Sequence, residues 1–162
     1  MAEEAAQPQQ QAGPRLALQK VYLKDASFEA PQGHEGFGSE WKPEVKLDMN
    51  LARNIINESH AELVLHLTVT VENAGKTAFL VEVHQAGIFL IDGMSDEQRK
   101  QVMNTACATM VFPYARETID SLIVKGGFPA LMLAPINFDA VYQQAVSQRQ
   151  QAQEQAGSET LN

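Results

Sequence analysis

The amino-acid sequence predicts an α+β domain in which a four-stranded antiparallel sheet, arranged as a meander, packs with a long kinked helix and a C-terminal helix. Residues 62–89 have the pattern of two long strands joined by a tight turn, and two stretches before residue 52 also have strand character. Beyond residue 95 the apolar residues recur at helical spacing instead. A run of strands followed by a run of helices is typical of the α+β class.

The central hairpin alternates apolar and polar residues along both arms. Apolar side chains occupy the odd positions 63–71 of the first arm and 79–83 of the second, which is the period of a strand with one buried face. Between the arms, residues 73–75 (Asn-Ala-Gly) tolerate positive φ and predict a three-residue loop.

That loop length sets the predicted pairing of the two arms. It places Glu72 opposite Lys76, so that odd positions face odd positions and the two apolar sides coincide. On the other side of the hairpin, the same pairing places His66 opposite Glu82.

Two earlier stretches predict the remaining strands. Residues 16–29 have strand composition, but their apolar parity changes between Leu18 and Val21, as a bulge or a bend requires. Residues 30–40 are rich in glycine and predict a loop. Residues 44–51 show the cleanest alternation in the chain. Four strands in succession with short links predict the meander.

The long helix begins at a capping box formed by Ser95 and Gln98. Its apolar residues continue at helical spacing as far as Ile123. Pro113 lies inside this pattern. Because a proline removes one backbone hydrogen bond and clashes with the preceding turn, we expect a break or kink near residues 111–112.

An apolar segment separates the two helices. The pair Gly126-Gly127 ends the long helix, and Asn137 caps a final helix that reaches about residue 145. The segment between them, residues 128–136, is too rich in proline for regular structure and too apolar for a solvated loop. It is either a lid over the domain's own core or the wall of a binding groove.

Length and composition indicate one domain with two tails. At 162 residues the chain suits a single core, which we place at residues 15–145. The segments 1–14 and 146–162 hold few residues to bury, and we expect both to be disordered.

Charge and localisation signals narrow the class of partner. The net charge of -8 repels nucleic acid and anionic lipid and favours a basic partner. No basic region followed by an apolar stretch opens the chain, and no run approaches the roughly 20 apolar residues that span a bilayer, so we expect a cytoplasmic protein. The single Cys107 forms no internal disulfide and is expected to be a packed thiol.

The sequence offers no catalytic or metal-binding pattern. The four histidines lack metal-ligand spacing, and phosphate loops, nucleophile elbows and paired carboxylate motifs are not found. We therefore expect no metal and no cofactor. One alternative remains open: a small oligomeric α+β enzyme with its pocket at a dimer interface, which buried acids or bases near the long helix would favour. Only Cys107 offers a reactive group there.

Several long strings, in the same order, closely resemble the SecB family of preprotein-export chaperones. The resemblance covers residues 16–145. The strings are YLKDASFEAP from Tyr22, WKPEVKLDMN from Trp41, LTVTV from Leu67, TAFLVEVHQAGIF from Thr77, FPYARE from Phe112 and GGFPALMLAPINFDAVY from Gly126.

The resemblance implies an ATP-independent holdase rather than an enzyme. Members of this family hold newly made precursor proteins unfolded in the cytoplasm and pass them to the SecA motor for export. The implied assembly is a homotetramer built as a dimer of dimers.

The resemblance also implies two sets of site residues. Asp25, Glu29, Leu80 and Glu82 correspond to the positions where the family docks SecA, and Leu80 and Glu82 do fall on the outward side of their strand. The residues implied in client binding are apolar: Trp41, Phe128, Leu131, Leu133 and Phe138.

Overall fold

The structure, a computed structural model, describes residues 13–159, with side chains described as far as residue 153. Residues 1–12 of the predicted N-terminal tail lie outside the described residues, as do residues 160–162. The strands are β1 (Arg15–Glu29), β2 (Glu44–Ile55), β3 (His60–Asn73) and β4 (Lys76–Asp92), and the helices are α1 (Asp96–Asn104), α2 (Ala106–Lys125) and α3 (Phe138–Glu159).

The four strands form one antiparallel sheet in the order β1-β4-β3-β2. The predicted antiparallel sheet is confirmed, but the meander covers only β2, β3 and β4. β1 pairs with β4 and not with β2, which corrects the meander and gives a Greek-key order. The connection through residues 30–43, with a 3-10 turn at Gly33–Phe37, spans three strand spacings, or about 14 Å.

The central hairpin turns on two residues rather than three. Asn73 pairs with Lys76, so the loop consists of Ala74 and Gly75, which have φ values of 52° and 75°. Positive φ at both central residues is the geometry of the turn that matches strand twist. Gly75 adopts this geometry freely, whereas Ala74 is a non-glycine residue at positive φ.

The register of the hairpin confirms the predicted parity but not the predicted partners. Val71 faces Phe79, so odd positions do lie opposite odd positions and the apolar sides coincide. His66, however, faces His84 and not Glu82. The two-residue turn and the register shift just before it move the partner of Glu72 by one residue, and the partners of residues 60–71 by two, relative to the prediction.

The long helix is interrupted, but not where its proline predicted. The capping box of Ser95 and Gln98 starts α1, as expected. The break then falls at Thr105, whose hydroxyl donates to the carbonyl four residues earlier at 2.9 Å, a contact that bends helices. Pro113 lies inside α2 and does not end it. Its ring is on the exposed side, where water can take up the carbonyl left unpaired.

The core lies between the inner face of the sheet and α2. The odd-numbered apolar residues of β3 and β4 are fully buried there, together with one side of α2. Cys107 is part of this core, and burial raises the pKa of its thiol to about 12. The predicted packed thiol is confirmed.

The C-terminal helix extends beyond the predicted end of the domain. The Asn137 side chain accepts a hydrogen bond from the N–H of Ala140 at 3.0 Å, as the predicted cap requires. α3 continues to Glu159, although we placed the end of the domain at residue 145. Side chains 147–153 are all exposed. The loss of apolar periodicity therefore marks where the helix leaves the body of the domain.

Candidate functional site: the outer sheet face and the apolar edge

The outer face of the sheet carries polar residues in rows that cross all four strands. Residues paired across neighbouring strands point to the same face, so the register identifies the members of each row. The rows, from β1 to β2, are Asp25-His84-His66-Asn50, then Ser27-Glu82-Thr68-Asp48, then Glu29-Leu80-Thr70-Lys46.

All four residues implied in motor docking lie on this outer face. Glu29 is directly opposite Leu80, and Asp25 lies two rows away. Asp25 and Glu29 are exposed, while Leu80 and Glu82 are partly exposed. Glu29 and Glu82 therefore flank Leu80, with Asp25 farther along β1, and this grouping exists because β1 pairs with β4. In a full meander the two strands would have been separated by the width of β2 and β3.

Two stacked imidazoles adjoin this acidic group. The rings of His66 and His84 are 3.9 Å apart between centroids and tilted by 23°. Nε2 of His84 lies 2.7 Å from a carboxylate oxygen of Glu82. Burial lowers the pKa of His66, and the neighbouring His84 lowers it further. The contact between these two histidines was not predicted, because it depends on the register that the structure shows.

A buried carboxylate closes one end of the outer face. Glu62 accepts hydrogen bonds from the Tyr22 hydroxyl, from Lys24 Nζ at 3.1 Å and from Asn54 Nδ2 at 2.6 Å. Its side chain is only 12% exposed. The tyrosine hydrogen bond is the largest cause that lowers the pKa of Glu62, ahead of those from Asn54 and Lys24. This group leaves no recognisable pattern in the sequence, because its members come from three strands.

Of the residues implied in client binding, Trp41 and Phe128 are brought together. Phe128 is buried, and its ring centroid lies 5.6 Å from that of Trp41 and 4.8 Å from that of Phe79. Phe37, which is 56% exposed, covers the same ring at 4.9 Å. The result is an aromatic cluster at one end of the core, with Phe37 and Trp41 at its surface.

The loop that carries Leu131 and Leu133 is fastened to α2. The Asp120 carboxylate accepts hydrogen bonds from the N–H groups of Leu131 and Met132, at 3.0 and 3.1 Å. Leu131 and Leu133 are half-buried against the core, whereas Met132 is 78% exposed. The two inward leucines thus make the loop a lid over the core. Between them, the loop presents the side chain of Met132 to solvent.

Phe138 is separate from the aromatic cluster. It is buried at the start of α3, with its ring edge-on to Phe112 at a centroid distance of 6.0 Å. The structure therefore places four of the five apolar residues along one loop and cluster, and the fifth inside the core.

The edge strand β2 has an apolar side that α2 does not cover. Val45 and Leu47 face the same way as the fully buried Val71 and Val69. They nevertheless remain 48% and 37% exposed. Their alternation led us to expect burial, because a sequence pattern shows which side a residue faces but not how far the helix extends.

The family follows from comparison of the whole chain with known proteins. The sequence model described as "SecB: Preprotein translocase subunit SecB" matches residues 9–149. The chain belongs to the SecB family. The resemblance seen in the sequence strings is confirmed, and with it the function class of a protein-export chaperone.

Relatives agree over nearly the whole length. The chain is 53% identical to the protein-export protein SecB of Hahella chejuensis over 98% of both chains. It is 50% identical to that of Cellvibrio japonicus over 93% of this chain and 91% of the relative. Among solved structures, it is similar to the SecB-like chaperone Rv1957 of Mycobacterium tuberculosis, in complex with a ChAD peptide from the Rv1956 HigA1 antitoxin. That match has a TM-score of 0.63 at 16% identity and covers 75% of this chain and 91% of the other, which supports the fold.

The enzyme alternative finds no support in this SecB-family chain. Within residues 13–153 the buried polar side chains are Glu62 on the outer face and the neutral Asn73, Gln85 and Thr105. None is an acid or base beside α2, and the Cys107 thiol remains protonated. None of the helices between residues 13 and 159 is long and apolar enough to cross a membrane.

Proposed function

We propose that this SecB-family protein is an ATP-independent holdase that keeps newly made precursor proteins unfolded in the cytoplasm and delivers them to the SecA motor for export. The observation that carries the proposal is the separation of two surfaces, the acidic group around Leu80 on the outer face and the aromatic cluster of Phe128 on the inner side. A holdase binds the unfolded state and opposes folding by mass action, so it needs no nucleotide and no catalytic step.

Clients bind, in this proposal, at the aromatic cluster and the adjoining loop. Exposed Phe37 and Met132 show that apolar surface is available beside Trp41, Leu131 and Leu133. Aromatic and methionine side chains adapt to many sequences, which suits a binder of varied unfolded chains. Phe138 joins this surface only when the start of α3 moves away from the core.

SecA docks at Asp25, Glu29, Leu80 and Glu82. Exposed carboxylates attract a basic partner and fix its register, while the leucine supplies apolar contact. Each exposed ion pair contributes only about 0–1 kcal/mol. Repetition of the group in an oligomer raises the total, because linked contacts act together.

The protomers assemble as a homotetramer, a dimer of dimers. Tyr114 and Val124 on α2 are 49% and 58% exposed, and Val45 is uncovered on β2. A second protomer can bury such apolar surface, and closed symmetric assemblies are the usual arrangement. Native mass spectrometry showing a monomer at micromolar concentration would contradict this assembly.

The decisive experiment measures both surfaces on matched variants. Light scattering follows a denatured precursor diluted with and without the protein, in the absence of nucleotide, and calorimetry measures binding to purified SecA. The triple charge reversal of Asp25, Glu29 and Glu82 to lysine should weaken SecA binding about tenfold or more and leave suppression of aggregation intact. The pair Trp41→Ala and Met132→Gln should do the reverse.

Two outcomes contradict the assignment. Unchanged SecA affinity in the charge-reversed protein would contradict the assignment of the docking site. Equal loss of both activities in either variant means that the two surfaces are not separate. Added salt should weaken docking in the wild type, because screening acts on exposed charges.

A further inference from the structure

The imidazole pair of His66 and His84 lies inside the proposed docking face. His84 is opposite Asp25 across the β1–β4 pairing, and its Nε2 lies 2.7 Å from the Glu82 carboxylate. A neutral His84 therefore donates its Nε2–H to Glu82 and holds that carboxylate in place. Within residues 13–153 no three His, Cys, Asp or Glu side chains converge as metal ligands, so the pair is not explained by a metal.

The charged groups around the pair determine which imidazole takes the first proton. β4 presents Glu82 to His84, and β1 presents Asp25 opposite it. The other side is less acidic: Asn50 of β2 lies opposite His66, and Asp48 lies in the next row with Lys46 at 3.4 Å. Lys24 on β1 forms an ion pair with Glu62, and its positive charge also disfavours a positive charge on His66.

Stacking then limits the pair to one proton. Two imidazolium rings with centroids 3.9 Å apart repel each other. His66 is in addition partly desolvated, which favours its neutral form. His84 has the Glu82 carboxylate 2.7 Å from its Nε2, so the geometry places an added positive charge on His84 rather than on His66.

We propose that His84 positions Glu82 for docking and regulates that docking, so that binding of the basic partner weakens when His84 becomes protonated. This inference rests on the proposed function, since it concerns the same face. Protonation leaves the hydrogen bond in place but adds a positive charge beside one of three carboxylates. Histidine is the side chain whose charge changes between about pH 5 and 8. A single exposed charge alters affinity by about two- to fivefold, and oligomer symmetry repeats the change.

The test compares SecA affinity by calorimetry at pH 8, 7 and 6 for three proteins. The wild type should bind about two- to fivefold more weakly at pH 6 than at pH 8, after subtraction of the change that His84→Gln shows. Glutamine keeps a donor for Glu82 but does not titrate, and it reports any pH dependence of SecA itself. His60→Gln is the matched control, because His60 bonds to Asn57 at the β2–β3 turn and should keep the wild-type profile.

A spectroscopic readout separates regulation from a structural role. In the NMR titration of the imidazole protons, Glu82→Gln should move the midpoint of His84 to lower pH, because it removes the carboxylate that stabilises the imidazolium. Its effect on the titration of His60 should be nil.

The outcomes distinguish this inference from the docking site itself. If His84→Gln and wild type show the same pH profile, or if Glu82→Gln leaves the His84 midpoint unchanged, the inference is overturned while the docking site stands. If the triple charge reversal of Asp25, Glu29 and Glu82 leaves SecA affinity unchanged, the docking site fails and the inference fails with it.

Discussion

The two faces of the sheet differ in what holds their residues together. On the inner face, Phe79 and Leu65 are fully buried members of the hydrophobic core. On the outer face, Leu80 and Glu82 stay partly exposed and contact neighbours on the surface of the sheet, across the strands and, for Glu82, at His84 of the same strand. Successive residues of one strand thus serve stability and, in our proposal, recognition in turn. This division predicts that substitutions on one face leave the property of the other face nearly unchanged.

The largest expected effect on stability comes from Phe79→Ala on the inner face. Removal of a fully buried aromatic ring costs about 3–5 kcal/mol in the free energy of unfolding. Leu80→Ala, one residue along the chain, should cost about 1 kcal/mol or less, because its side chain is already partly hydrated. Urea denaturation at one fixed protomer concentration measures both. Equal losses would contradict the division between the faces.

A smaller loss is expected at Gly87, where a side chain of α2 lies close to the backbone of β4. An added Cβ at Gly87 would lie 2.8 Å from both the Phe89 ring and a methyl group of Val111. Gly87→Ala should therefore destabilise by about 1–3 kcal/mol through overpacking. Gly38→Ala is the control, since its nearest contact is an ordinary 3.5 Å. The midpoints of urea denaturation of the two variants should differ. Coincident denaturation curves would show that the core around Gly87 accommodates the added methyl group.

The smallest of these effects belongs to the outer face. Glu62→Gln keeps the size of the side chain but removes the charge that its hydrogen-bond donors stabilise, which should cost about 1 kcal/mol at pH 7. Because the folded-state pKa is lowered, this contribution is present above the unfolded value near 4.5 and is lost as pH falls through the folded value.

Acid denaturation provides the measurement for Glu62. The difference in unfolding free energy between wild type and Glu62→Gln should shrink as pH falls below about 4.5. Lys46→Gln serves as control, because its ion pair to Asp48 is exposed on both sides. A difference that stays constant from pH 7 to pH 3 would show that the charge of Glu62 does not stabilise the fold.

The inner face could be predicted from sequence because inward direction is a local property. Alternation in residues 63–71 shows the buried side of β3 without knowledge of any partner. The grouping of residues on the outer face depends instead on which residues the strand register places opposite each other. A turn of two residues and one register shift changed the partner of His66 from Glu82 to His84, and neither leaves a distinct mark in the sequence.

The order of the strands in the sheet likewise could not be predicted from local sequence patterns. The connection of residues 30–43 reads as a loop in either topology, and only the fold shows that it carries the chain across the sheet. The grouping of Asp25 and Glu29 with Leu80 accordingly came from family resemblance and not from alternation. The same limit applies to Phe138, whose apolar character predicted a contact but not whether that contact is with the core.

The pairing of β1 with β4 also has a consequence for synthesis on the ribosome. β1 is made first, but within residues 13–159 it pairs with the last strand of the sheet, β4. At about 5–20 residues per second, the roughly 60 residues between Glu29 and Asp92 take about 3–12 s to appear. During that interval β2, β3 and the start of β4 can pair with one another, while β1 remains unpaired with its apolar side exposed. In our proposal this protein holds other chains before they fold, and during its own synthesis it passes through a similar incompletely folded state.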